Sequence, residues 1–332
     1  MLSIGKIPND ILKKIIFKYL GAKNNDIIDG PHISGDSAVV NFQKNNYIAL
    51  KSDPITGAFE NIGKHAIIVN SNDIAARGGI PKFFLATILL PPGSTIDDLE
   101  QISKDLHATA LKLNISIIGG HSEVTNAVKS PIVLGVMAGE IKKDRFLDAK
   151  NIEVGDKIIL TKSIGIEGCS VIANDHYNLI KDQINSNVIN KAKKLIDKIS
   201  ILQEAQIALK NEGLKFMHDP TEGGLLGGII ELCSLINKGF ILYESDIPIH
   251  DYIDLICKKL EINPLRLLSS GALIIICKPE YCNKMLNDIS NSGINAKIIG
   301  EITESGYKIK LKNGKIKNVN PDTHEELWNI DQ

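Results

Sequence analysis

Residues 63–81, GKHAIIVNSNDIAARGGIP, constrain the fold more than any other stretch of the chain. Ala66, Ile67, Ile68, Val69, Ile74 and Ala75 make a helix apolar enough to be core. Asn70, Asp73 and Arg77 nevertheless stand at i, i+3 and i+7, on one helical face. Three polar groups on a buried helix need a partner there, because an unpaired buried polar group is costly. That partner is protein, a metal or a ligand. Gly78-Gly79 ends the helix, and Pro81 prevents its resumption. The rest of the chain supplies acidic groups that can converge on this face.

The flanking segments alternate between the two backbone periods. A helix is expected over 10–20, followed by a polar, glycine-rich loop over 21–36 that ends in GPHISGDS. Such a loop wraps a phosphate, or is a plain surface connection. Apolar runs at 38–42 and 47–51 around QKNN read as a hairpin, with Asp36 and Asp53 just outside its strands. A strand over 83–90, an amphipathic helix over 95–113, a short strand over 115–118 leading into GGHSE, and a strand over 131–138 follow. No G-x-G-x-x-G follows a first strand and no GxxxxGK[ST] is present, which disfavours a Rossmann domain and a P-loop.

A boundary is placed near Lys150, giving domains over 1–150 and 151–332. The second half reads as strands at 157–161, 214–217, 240–243, 272–277, 297–300 and 307–311. Helices are expected at 166–174, 251–260 and 279–290, with one long helix over 187–212 and a terminal helix over 321–332. The segment HDPTEGG, beginning at His218, reads as a helix start: Asp219 as N-cap, Pro220 at N1 and Glu222 completing a capping box. Gly223, Gly224, Gly227 and Gly228 are unusual in a helix, each costing about 1 kcal/mol relative to alanine. They imply that a backbone or a ligand packs very close. A helix N-terminus is also an anion site. Ser269-Ser270-Gly271 reads as a tight turn, or as a phosphate contact.

With 332 residues and a net charge of −1, the chain is long enough for two domains and carries no nucleic-acid footprint. No apolar run reaches the roughly 18 residues of a membrane span, and the start has no signal-peptide pattern. A cytoplasmic enzyme or binding protein is expected. None of the five cysteines forms a CxxC pair, so zinc and a disulfide scaffold are both disfavoured.

The candidate acidic groups are Asp36, Asp53, Asp73, Glu123 and Asp219. No serine–histidine or cysteine–histidine nucleophile spacing occurs. Several carboxylates beside glycine loops favour a magnesium-bound polyphosphate, since Mg²⁺ takes hard oxygen ligands. The protein's task is then to position and neutralise a transferring γ-phosphoryl group. His121 and His218 adjoin these groups as acid–base residues, phosphate donors or structural histidines.

GDSAVV, KSD, VNSNDIAARGGIP, GGHSEVT, GDKIILTKSIGIEG, MHDPTEGGLLGGIIEL and LLSSGALIII occur in the order seen in the aminoimidazole-ribonucleotide-synthetase-like superfamily. The chain resembles its HypE-related branch, which the thiamine-monophosphate kinases and selenophosphate synthetases accompany. The resemblance implies an α/β (α+β) two-domain fold, with N-terminal domains pairing into a β-barrel in a homodimer and ATP and Mg²⁺ as cofactors. It implies Asp36, Asp53, Asp73 and Asp219 as metal or phosphate ligands. Asn70, Asp73, Gly119, Gly120, Asp219 and Thr221 would bind the nucleotide, and His121, Glu123 and His218 would be catalytic. Arg77 is expected to be a structural ion-pair partner.

Two departures from the family pattern bear on function. The last cysteine is Cys282 and the sequence finishes LWNIDQ, so the terminal-cysteine chemistry of HypE is not expected at this terminus. Ser37 stands where many relatives have a second acid. The leading expectation is an ATP- and Mg²⁺-dependent enzyme that phosphorylates an oxygen of a small-molecule or protein-group acceptor, with a hydrogenase-maturation role. The rivals are a small-molecule kinase resembling thiamine-monophosphate kinase and a non-catalytic nucleotide-binding partner of hydrogenase-maturation proteins.

Overall fold

The computed structural model describes residues 27–29, 32, 37–41, 45–56, 61–322 and 324–330. The helix expected over 10–20 and Asp36, with most of the loop before it, lie outside the described residues. The chain divides into two compact units, which meet in sequence between Phe146 and Leu147.

The first unit is one six-stranded sheet covered on one face by two helices. Its strands are β1 (Ile27–Asp29), β2 (Ala38–Asn41), β3 (Asn46–Thr56), β4 (Ile80–Leu90), β5 (Ser116–Val124) and β6 (Ile132–Lys142), in the order β1-β2-β3-β6-β4-β5. Helix α1 (Ile62–Ala76) carries Asn70 and Asp73 among its buried residues, and α2 (Ile96–Lys112) packs beside it. Ile67 and Ile74 of α1, Ile102 and Leu106 of α2, and Phe84, Val133, Met137 and Ile141 of the sheet share one core.

Three glycines set how close α1 comes. A Cβ on Gly63 would lie 2.5 Å from the Ile102 carbonyl oxygen, so α1 and α2 cross almost backbone to backbone. Gly135 and Gly139 lie four residues apart on the inner face of β6. A Cβ there would lie 2.6 Å from Asn70 Nδ2 and 2.3 Å from Ile74 Cγ2 respectively. Helix α1 thus settles into a trough that side chains would fill.

Several strands run longer than the sequence pattern indicates, β3 and β5 the most. β3 continues through Ser52-Asp53-Pro54, so Asp53 is inside a strand and not just beyond its end. β2 pairs only as far as Leu50, while β6 accompanies β3 to Thr56. Both polar groups of Asp53 face away from β6, so the donor that Pro54 lacks belongs to the β6 side, and β6 stays paired past it to Thr56. β5 runs through GGHSE instead of stopping at Ile118. Ile117 faces Phe84 but Gly119 faces Leu85, so Ile118 is an extra residue and the strand bulges there. Gly120 makes this possible, since its Cβ would lie 1.9 Å from the Ala86 carbonyl oxygen.

All nine residues of β5 are exposed, and β5 pairs parallel with β4 at the sheet edge. Leu50, Phe83, Leu85 and Ile117 are also exposed hydrophobics of this sheet. The described residues form no closed barrel.

The second unit has a seven-stranded sheet. Its strands are β7 (Lys157–Thr161), β8 (Leu214–His218), β9 (Gly239–Tyr243), β10 (Ile274–Cys277), β11 (Ala296–Thr303), β12 (Tyr307–Lys310) and β13 (Ile316–Asn318), ordered β13-β12-β9-β11-β7-β10-β8. β10 is buried along its whole length, as its unbroken apolar run requires. The helices are α3 (Ile166–Asp175), α4 (Tyr177–Ile180), α5 (Ser186–Lys193), α6 (Leu202–Ala208), α7 (Gly224–Leu235), α8 (Asp251–Lys259) and α9 (Cys282–Ser290).

The single helix expected over 187–212 is broken. A 3₁₀ segment, Lys194–Lys198, and a gap separate α5 from α6. Lys162 Nζ accounts for the gap: it donates to Ser200 O at 2.7 Å and Lys198 O at 3.2 Å, satisfying carbonyls that a continuous helix would use itself. The expected terminal helix is a single 3₁₀ turn, Glu326–Asn329. Arg266 holds the chain ahead of it through Asn320 O, at 2.9 Å, and Asp322 O. All five cysteines are buried and none is in a disulfide. No helix among the described residues is long and apolar enough to cross a membrane.

Gly120→Ala drives a Cβ into a main-chain carbonyl that has no room to yield. A loss of about 3 kcal/mol is expected in urea unfolding. An unchanged midpoint would mean that β4 and β5 are further apart than described.

Candidate functional site

In the first unit the site is organised by one side chain. Asn70 is fully buried on α1. Its Oδ1 accepts from the Asp53 N–H at 2.9 Å, and its Nδ2 donates to the Asp53 carbonyl at 3.2 Å and to Ala66 O at 2.9 Å. The amide does for Asp53 what a neighbouring strand would do, at the point where β2 has ended. Asn70 therefore ties the main chain of β3 to α1.

That tie sets the carboxylates. Lys51 and Asp53 are two residues apart on β3 and share its inner face. Asp73 is one turn beyond Asn70 on α1. Lys51 Nζ lies 3.1 Å from Asp53 Oδ2 and 3.3 Å from Asp73 Oδ2, so one ammonium bridges the two carboxylates. Asp73 is 5% exposed in its side chain and Asp53 32%, so the cluster is sealed at one end and open at the other. Two convergent carboxylates are hard oxygen donors of the kind Mg²⁺ takes, with phosphate oxygens and water completing its shell. The donor set fits that metal. Among the described residues no three His, Cys, Asp or Glu gather into a larger metal-holding group.

Arg77, on the same face of α1, points elsewhere. It is buried, pairs with Asp29 of β1 and lies 5.5 Å from the centroid of the Phe146 ring. Its role is structural, as expected. His121 and Glu123 stand on the exposed edge strand β5, with His121 Nε2 and Glu123 Oε2 3.2 Å apart. Gly119 and Gly120 lie just before them in the bulge of β5.

In the second unit, His218 ends β8 opposite Ile274 of β10, and His218 and Asp219 are both buried. The capping box is not formed. Helix α7 begins at Gly224, with Gly223 as N-cap at φ 78° and Gly224 at φ 58°. These left-handed conformations reverse the chain after Glu222, so Asp219 and Pro220 precede the helix without starting it. Thr221 lies in this loop and its carbonyl accepts from Gly224 N at 3.0 Å.

The glycines are explained by close protein packing. A Cβ on Gly224 would lie 2.7 Å from Leu267 O, and one on Gly228 3.1 Å from the His218 ring. The N-terminus of α7 already has a carboxylate. Glu325 Oε2 accepts from Gly223 N at 2.7 Å, while Oε1 accepts from Leu268 N at 3.0 Å and Leu327 N at 2.9 Å. Ser269 Oγ accepts from Gly165 N at 2.8 Å and donates to Leu267 O at 2.7 Å, which makes that segment a turn.

Lys51 and Glu325 are the residues that sequence reasoning missed. Lys51 was legible as the i−2 neighbour of Asp53, had the strand been extended. No local signal leads from Glu325 to Gly223.

Residues 34–141 match the N-terminal domain, and residues 153–312 the C-terminal domain, of AIR synthase related proteins. The chain belongs to the AIR synthase related family. A Methanocaldococcus jannaschii protein named for hydrogenase expression/formation is 27% identical over 308 residues, which is 90% of this chain and 89% of its own. The carbamoyl dehydratase HypE of Rhizobium leguminosarum bv. viciae is 27% identical over 76% of this chain and 71% of its own. Among solved structures, the HypE–HypF complex aligns with a TM-score of 0.77 at 21% identity, covering 93% of this chain and 99% of that one. HypE in complex with ATP gives 0.67 at 18% identity, covering 96% and 95%. AaThiL complexed with AMPPCP and TMP gives 0.75 at 17% identity, covering 96% and 98%. These likenesses establish a mixed α/β, two-domain AIR synthase-like fold.

Asn70→Ala removes both bonds to the Asp53 main chain and leaves two polar groups unsatisfied. A loss of about 2–4 kcal/mol is expected in chemical unfolding; a change under about 0.5 kcal/mol would show that the tie is dispensable.

Burial pushes the Glu325 carboxyl up from 4.5 to about 7, against the opposing pull of its three N–H donors. The folded protein then holds this proton more tightly than the unfolded chain. Its contribution to stability is fully present below about pH 4.5 and is lost as pH rises through about 7. The melting temperature of the wild type minus that of Glu325→Gln should therefore fall across this window. A difference that rises or stays level rules the assignment out.

Proposed function

We propose that this chain is an ATP- and Mg²⁺-dependent phosphoryl-transfer enzyme of the HypE type, activating an oxygen of its acceptor for dehydration. The observation that carries the reading is the meeting of Asp53 and Asp73 on one ammonium, with Asn70 fixing the strand that bears Asp53. It is supported by the family membership and by relatives named for hydrogenase maturation.

Asp53 and Asp73 would hold the metal, with Asp36 and Asp219 as its further ligands. Gly119, Gly120, Asp219 and Thr221 would contact the nucleotide, with Asn70 steadying the site. When bound, Mg²⁺–ATP would supply the γ-phosphoryl group that turns an acceptor oxygen into a leaving group. Glu123 would orient the His121 ring through Nε2, and His121, Glu123 and His218 would exchange protons with the acceptor. The domains are proposed to divide as 1–150, for ATP binding and dimerisation, and 151–332.

A homodimer is proposed, supported by the exposed edge strand and the exposed hydrophobics of the first sheet. A second copy would pair with the edge, cover Leu50, Phe83 and Leu85, and shield His121 and Glu123 from water. Hydrogenase-maturation proteins are the proposed partners and the cytoplasm the proposed location. A small-molecule kinase of the thiamine-monophosphate kinase type shares the fold and is the reading to test against.

Calorimetry with a non-hydrolysable ATP analogue and Mg²⁺ should show binding that Asp73→Asn weakens at least about tenfold, or 1.4 kcal/mol. Absence of binding, or indifference to Asp73→Asn, would sink the proposal. ATP turnover that requires a carbamoyl-bearing acceptor supports the HypE type, while turnover on a free phosphomonoester supports the kinase.

A further inference from the structure

The Asp53–Asp73 pair already holds a cation belonging to the chain itself. Lys51 Nζ lies within 3.3 Å of an oxygen of each carboxylate, and its side chain is 22% exposed. An ammonium on a four-carbon stem is a mobile point charge, able to pivot while its Cα stays in the sheet. The strand cannot follow such a movement, because Asn70 holds the main chain of Asp53 to α1. A divalent ion reaching the same two oxygens would meet the like charge of the ammonium at contact distance, where charge repulsion is strong even with partial screening.

We propose that Lys51 is the resident counter-ion of the Asp53–Asp73 pair, and that the ammonium and a divalent metal are alternative occupants of it. This rests on the metal reading of the two carboxylates given above. Without nucleotide the ammonium neutralises part of the charge and suppresses metal binding. Metal arriving with a polyphosphate displaces the ammonium, and the anion then offers it new oxygens. Lys51 thereby couples metal binding to nucleotide binding and acts as a positioning residue for the phosphates.

The test is Mn²⁺ binding to the full-length, nucleotide-free protein, read by calorimetry for wild type, Lys51→Met, Lys51→Gln and Lys51→Arg. Lys51→Met and Lys51→Gln should bind Mn²⁺ at least about tenfold more tightly than wild type. Lys51→Arg, which keeps the charge, should stay as weak as wild type. In chelator the two neutral variants should melt below wild type, and Mn²⁺ should raise their melting temperatures by more than it raises that of wild type. With Mn²⁺ saturating, they should bind the ATP analogue more weakly than wild type does.

Equal Mn²⁺ affinity in wild type and both neutral variants, with loss in Asp73→Asn, would overturn the competition and leave Lys51 an ordinary ion pair. ATP-analogue binding with no Mn²⁺ binding in any protein would overturn it by removing the metal from the pair. Failure to bind the analogue at all would instead bring down the functional reading itself.

Discussion

The first unit depends on a side-chain amide standing in for a missing strand. Among the described residues β3 outruns β2, and the backbone of Asp53 on that side is met by a side chain. Asn70 supplies one acceptor and one donor to that residue, in the complementary pattern a β-partner offers. The consequence reaches past hydrogen-bond satisfaction. The amide is part of α1, so the strand carrying Lys51 and Asp53 and the helix carrying Asp73 are held in one register. Gly135 and Gly139 are the sheet's accommodation to this, being the places where the amide and Ile74 descend onto β6. A polar cluster in an apolar helix is tolerated because its members are used pairwise: Asn70 on backbone, Arg77 on Asp29, Asp73 on Lys51.

Much of this was legible in the residues, and the limits follow from physics. The polar face of α1 was visible because three hydrophilic residues at helical spacing cannot be placed idly in a core. The second half's buried strands were visible as apolar runs. The lengths of β3 and β5 were not. Pro54 and Gly119-Gly120 ordinarily end strands, and here β6 keeps its pairing past the donor that Pro54 lacks, while β5 bulges against β4, both properties of the partner strands. The split of the expected long helix at residues 199–201 was hidden for a similar reason, since the cause is Lys162, far away in sequence. The HDPTEGG segment has the right residues for a capping box, yet the left-handed Gly223 and Gly224 override it. The approach of Asp53 to Asp73 is implied by the motifs, while the lysine between them stands two residues before Asp53 in KSD, where nothing local gives it a role.

The two units handle glycine differently. In the first, glycines on β6 and α1 thin the layers so that a helix carrying polar groups can approach a sheet. In the second, they let one loop fold against its own surroundings: Gly224 on the carbonyls of 265–267, Gly228 beneath the His218 ring, and Gly223 turned to present its N–H to Glu325. The helix dipole at the start of α7 is thus answered from within the chain.

Glu325 and Gly223 are separated by 102 positions. A ribosome adding about 5–20 residues per second needs on the order of 5–20 s to cover that interval. During that time β8 and α7 are already available to form, but the loop between them lacks the carboxylate that ties Gly223 and Leu268 together. The nascent second unit must therefore carry an unfinished loop, with open N–H groups at a helix end, long after its first strands have been made. Completion of that loop reports that the chain has been synthesised at least as far as Glu325, which gives the contact a place in the order of folding as well as a structural role.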